Sequence, residues 1–186
     1  RGTNNSVGGA TNIDHVGDLL LGTSAAAEFD FVDGIIATAV NDITLAGEIR
    51  AGDASGDTDS IDLVSQGTVT VTHTTKIGGL AAGSIGLSDV VLANGVTLTL
   101  GTGIANGLFT GSVSGTSGGA ASNLVLDATG ASQISGDVTT DIGSLTINDL
   151  GTGSLSFAGT VGSGTSVRVG AVFLKAATGD ILFGGS

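Results

Sequence analysis

The chain has 186 residues, a formal net charge of −12 and a mean hydropathy of +0.46. At 40 % hydrophobic residues it carries enough apolar material to bury a core, which excludes a disordered polar tract. Five cations, Arg1, Arg50, Lys76, Arg168 and Lys175, against 17 acids argue against binding nucleic acid or an anionic membrane surface.

Divalent cations are the charged partners that fit this balance. Glycine supplies 34 residues, while Pro, Cys, Met, Trp and Tyr are absent. Glu28 and Glu48 are the only glutamates, so nearly all the acid is aspartate, a residue that prefers turns to helices. The missing cysteine fits an extracellular protein that avoids redox dependence. Apolar runs such as Leu19–Leu21 and Ala25–Ala27 are far too short to span a bilayer. A first residue of Arg1 reads as a processed mature chain or a piece of a longer one.

Residues 1–17, RGTNNSVGGATNIDHVG, form a polar lead-in, flexible or strand-exchanging. Asn4-Asn5-Ser6 is a formal glycosylation sequon that reads as a chance match. Asp14, His15 and Asp18 read as surface residues. Residues 18–186 read as a single β-rich domain. Glu28, Asp30 and Asp33 alternate with Phe29 and Phe31, so they predict the wet face of a strand before a glycosidase pair.

The clearest unit is Ile61–Val71, IDLVSQGTVTV: two period-two alternations around Gly67. Related units recur at 90–100, 145–157 and 172–183. Similar strands start at Ile43, Val69, Leu98, Leu124, Leu155 and Ile181, with a mean spacing of about 28 residues. That rhythm predicts an all-β parallel solenoid with ~28-residue coils, those six residues forming one inward ladder. Gly67, Gly95, Gly153 and Gly179 precede such strands and are expected at corners with positive φ. The alternative is an antiparallel β-sandwich or jelly roll, for which Asn94-Gly95 is a good hairpin signal. No stretch shows a helical period.

LKAATGDILFGG at 174–185, LVSQGTVTVT at 63–72 and ANGVTLTLGTG at 93–103 resemble the strand repeats of large bacterial surface proteins. These are the filamentous-haemagglutinin-like and autotransporter-type families. The resemblance covers most of residues 40–186 and rests on composition and rhythm. It implies a β-helical stalk, fibre or adhesin that is secreted or held at the cell surface. This chain is short beside such proteins.

The densest polar cluster holds Asp53, Asp57, Asp59 and Asp62 around Gly56. Carboxylates at alternating spacing on a glycine-containing loop are how calcium gathers oxygen ligands, and a solvated acidic loop is the other reading. The order of an EF-hand is missing. His73 lies in a threonine-rich strand, and two histidines without cysteine give no zinc spacing. Gly101-Thr-Gly103 and Gly118-Gly119 open no helix and are not phosphate loops. Sugar sites favour Trp and Tyr, which are absent.

No catalytic residue emerges, and the chain reads as a non-enzyme. The expected role is a structural subunit or segment of an extracellular filament, sheath or surface layer. Its partners are copies of itself, a homopolymer joined through β edges unprotected by Pro or Lys. The alternative is a stalk or passenger segment of an adhesin that meets a host or neighbouring cell surface.

Overall fold

The computed structural model describes residues 5–38, 40–148, 153–162, 171–174 and 180–183. They form a β-solenoid of about 7 turns, without a helix among them. Every pairing between the described strands is parallel, which rules out the sandwich alternative.

Each coil has three faces. The first is built from β3 (Leu19–Leu21), the front of β6 (Ile43–Ala51), the front of β8 (Val69–Gly79), β10 (Val90–Leu92), β13 (Val113–Gly115) and β16 (Val138–Thr139). The second holds β1 (Asn5–Val7), β4 (Glu28–Phe31), the backs of β6 and β8, β11 (Thr97–Ile104), β14 (Ser122–Ala128), β17 (Ile142–Ile147) and β19 (Ala171–Leu174). The third holds β2 (Thr11–Asn12), β5 (Ile35–Ile36), β7 (Ile61–Leu63), β9 (Ile85–Leu87), β12 (Leu108–Thr110), β15 (Ser132–Ile134), β18 (Leu155–Phe157) and β20 (Ile181–Phe183). The lead-in thus supplies the outermost rungs: β1 pairs with β4, and β2 with β5.

Alternation explains which way each side chain points. Ile61, Leu63, Val69 and Val71 are all buried, while Asp62 and Thr70 between them face out. Like side chains stack coil on coil, so the interior is a continuous column of Ile, Leu and Val. With strands about 4.8 Å apart, the eight rungs of the third face extend over roughly 34 Å.

The coil is shorter than the rhythm of the sequence suggests. First-face partners run Leu19, Ile43, Val69, Val90, Val113, Val138 and Val161, steps of 24, 26, 21, 23, 25 and 23. The expected single ladder is three separate ones. Ile43 and Val69 pair on the first face, Leu98 and Leu124 on the second, Leu155 and Ile181 on the third. An overlong period advances around the coil, crossing to the next face about every second turn. All three faces share the same alternation, so nothing local marks the crossing.

Corner glycines serve two different needs. Gly95 has φ 69°, as expected. Gly67 lies outside the positive-φ set; a Cβ there would collide with the Asp42 carboxylate and the Asn41 carbonyl of the preceding coil, and one at Gly153 with the Thr129 and Gly130 carbonyls. Close coil-to-coil approach is what selects glycine at both. Gly179 lies outside the described residues. Gly47, φ 86°, lets β6 turn from the first face into the second.

The aspartates have a structural task at the corner before the first face. From the second rung on, Asp42, Thr68, Asp89, Ser112, Asp137 and Thr160 each immediately precede one rung, so acid and hydroxyl residues alternate there, while Asp18 before Leu19 adds a second acid next to Asp42. The Oδ1 of Asp42, Asp89 and Asp137 accepts the backbone N–H of the hydroxyl residue one coil on: Thr68 at 2.8 Å, Ser112 at 2.7 Å and Thr160 at 2.7 Å. From Asp42 on, alternation keeps like charges two coils apart while satisfying a corner amide in every second coil.

Candidate functional site

Four regions hold polar side chains or open edges with functional potential. The first is an ion cluster on the second face. β4 and β6 align Glu28 with Glu48 and Asp30 with Arg50. The Arg50 guanidinium grips Asp30 with Nε and an Nη, the latter at 2.9 Å from Oδ2. Its other contacts are Glu48 Oε2 at 3.5 Å and Glu28 Oε2 at 3.8 Å. The hydrogen bond to Asp30 holds the Arg50 pKa above its ordinary value against the opposing effect of burial, so the group is a fixed cation. Lys76 aligns with Glu48 on the following coil. Here an arginine serves three acids: Glu28 and Asp30, expected on a wet strand face, and Glu48 from its own strand, while Asp33 stands outside the cluster.

The second region is the acidic loop. Asp53 is exposed, Asp57 and Asp59 are half-buried in the turn, and Asp62 stands on the outer side of β7. Asp57 Oδ2 accepts the backbone N–H groups of Asp53 at 3.2 Å and Ala54 at 2.9 Å, closing the turn on itself. Among the described residues no three acid or imidazole groups converge on a point where a metal could sit. Of Asp53, Asp57, Asp59 and Asp62, Asp57 is hydrogen-bonded within its own loop and Asp62 stands on a sheet face.

The third region is an outward groove of about 620 Å³ across the third face. Its rungs read Asp62, Gly86, Phe109 and Gln133 on successive coils. Gly86 has no side chain, so a hollow opens between Asp62 and Phe109. The Asp62 carboxylate leans over it, its Oδ1 reaching within 2.8 Å of where a Gly86 Cβ would be. Among the described residues no hydrogen bond reaches that carboxylate, and burial alone raises its pKa above the usual 3.8. Phe109 is 49 % exposed. On the groove's flank Ser65 and Ser88 share a hydrogen bond of 2.7 Å.

The fourth region is the pair of ends. Among the described residues β1, β2 and β3 pair on one side only, as do β19 and β20. These strands read NSV, TN, LLL, AVFL and ILF, without a charge or a proline. At β20, Leu182 and Phe183 are exposed, and the Phe183 ring stacks on Phe157 at 5.1 Å between centroids.

Asp14, His15 and Asp33 are exposed; the His73 ring has one hydrogen-bond partner among the described residues, its neighbour Thr72, with Nδ1 3.2 Å from Oγ1. The Arg50 cluster and the groove escape sequence reasoning because their members sit on different coils, linked only through the true coil length. Searches of family models, curated proteins and solved structures found no match to this chain.

Proposed function

We propose that the chain is a structural subunit or segment of an extracellular filament, sheath or surface layer, built by addition of one copy to the next along the solenoid axis. The observation that carries this reading is that, among the described residues, β1, β2, β3, β19 and β20 pair on one side only. Strands with unpaired backbone N–H and C=O groups are templates for further strands, and proteins that avoid such pairing place charge, Pro or a covering element there. Every described strand runs in the same parallel direction, so a second copy added along the axis meets strands of matching direction. Joining one end to the other of a second copy is a heterologous contact, which propagates as a filament.

The resemblance of LVSQGTVTVT and LKAATGDILFGG to the strand repeats of bacterial surface proteins points the same way, and with it a secreted or cell-surface location. No reaction is assigned. The groove favours a second reading, in which the rod is a stalk or passenger segment of an adhesin.

Negative-stain microscopy and light scattering over a range of concentrations, with calcium and with chelator, test assembly. Fibres one solenoid wide, shortened by Leu182→Lys, are the expected result. A monodisperse monomer under all conditions would overturn the proposal.

A further inference from the structure

We infer that the third-face groove binds a short stretch of neutral, linear oligosaccharide. This stands apart from axial assembly, since the groove lies on the rod's flank.

The argument begins with what the groove presents. Phe109 offers an exposed ring, a flat apolar platform against which the C–H face of a pyranose packs. Asp62 sits two rungs away with a carboxylate that accepts no hydrogen bond among the described residues although partly desolvated. One rung beyond Phe109, the exposed Gln133 amide adds two donors and an acceptor. The Ser65 and Ser88 hydroxyls lie on the flank. An aromatic platform between a carboxylate and an amide recognises a ring with one apolar face and an edge of hydroxyls.

Sign and spacing narrow the class. Asp62 and Asp89 both line the groove, and the chain carries −12, so uronate, sialylated and sulfated glycans are repelled. Asp89 already accepts the Ser112 N–H, which leaves Asp62 as the freer acceptor. From Asp62 to Gln133 the groove crosses three coil steps, about 14 Å at the inter-strand spacing. One coil step is close to the length of one pyranose unit, so a sugar chain laid along the rod keeps pace with the rungs. Gly86 creates the depth: any side chain there would fill the floor between acid and ring.

Saturation-transfer NMR and isothermal titration calorimetry with neutral linear hexasaccharides (cello-, chito- and β-1,3-gluco-oligomers) test this, with an oligogalacturonate as the anionic control. At least one neutral hexasaccharide should bind the native protein. Phe109→Ala and Gly86→Leu should each weaken it about tenfold or more, a change of about 1.4 kcal/mol. Both variants should fold: Phe109 is exposed, and a Gly86 Cβ would meet side-chain atoms alone, Asp62 Oδ1 at 2.8 Å, which must turn aside, with Asp62 Cγ and Val64 Cγ2 at 3.6 Å. Unchanged thermal unfolding confirms that point. The inference is overturned if no neutral hexasaccharide binds at millimolar concentration, if both variants bind as the native protein does, or if oligogalacturonate binds equally well. Loss of filament assembly in Gly86→Leu, without saccharide binding by the native chain, would reassign the groove to contact between copies and also overturn it.

Discussion

The second and third faces are both parallel ladders of short strands, yet their polar residues live in opposite conditions. Around Arg50, β4 and β6 bring three acids and one guanidinium into mutual contact, and the cluster satisfies itself. Around Gly86, β7, β9 and β12 bring an acid, a gap and an aromatic ring into line, and Asp62 receives no hydrogen bond among the described residues. A stacked ladder does not decide between scaffold and site. The residue one coil away decides, by answering a charge or leaving it open.

The sharpest break in that comparison uses two phenylalanines on the third face. Phe157 is 1 % exposed and Phe109 is 49 % exposed, one pointing in and the other out. Phe157→Ala should lower unfolding free energy by about 3–5 kcal/mol in denaturant titration. Phe109→Ala should change it by no more than about 0.5 kcal/mol while weakening saccharide binding about tenfold or more.

Next comes the acidic turn. Asp57→Ala removes the acceptor for two backbone amides and should cost about 1 kcal/mol. Thermal unfolding should show the same loss in calcium and in chelator, because the carboxylate works on its own loop. A loss confined to calcium would mean that Asp53, Asp57, Asp59 and Asp62 rearrange around the ion.

Arg50→Ala is smaller. The guanidinium is 31 % exposed, so its pairs are screened, and the expected cost is about 0.5–1 kcal/mol. What remains is Glu28 directly opposite Glu48 with Asp30 beside them, and added salt should recover part of the loss by screening that repulsion.

The smallest effect is on the open face. Burial raises the Asp62 pKa, so the folded state holds its proton more tightly than the unfolded chain. The native protein therefore loses stability from this group as pH rises from the unfolded value through the folded one. Asp62→Asn should be slightly more stable than native protein at neutral pH, with the difference vanishing in acid below the usual carboxylate range. A melting-temperature series for both proteins checks the sign; an advantage for Asn that grew in acid would contradict it.

The strands and their inward residues were legible in the sequence, because period-two alternation is a local property. Ile61, Leu63, Val69 and Val71 needed only their neighbours. The coil length was not, because the three faces carry the same alternation and the step from Val69 to Val90 is shorter than that from Ile43 to Val69. That single uncertainty hid the groove. Asp62 is visible as an acid, but its relation to Gly86 and Phe109 exists only at steps of 24 and 23. At the longer expected period Asp62 falls beside Val90, which lies on the first face. The Asp and hydroxyl alternation at the corner was hidden for the same reason. Arg50 was noticed as a charge and missed as a clamp.

The hydrogen bonds that join one coil to the next run along the rod. Tension applied through its ends therefore does not shear a sheet; it opens the bonds of one coil at a time, each coil held by its neighbours alone. One coil of about 24 residues frees roughly 80 Å of chain when it peels away. A surface fibre made of such coils would lengthen under flow in near-equal steps, each absorbing work before the next coil is loaded. Such a rod is a mechanical fuse in series, and single-molecule stretching would read its coils as a row of evenly spaced teeth.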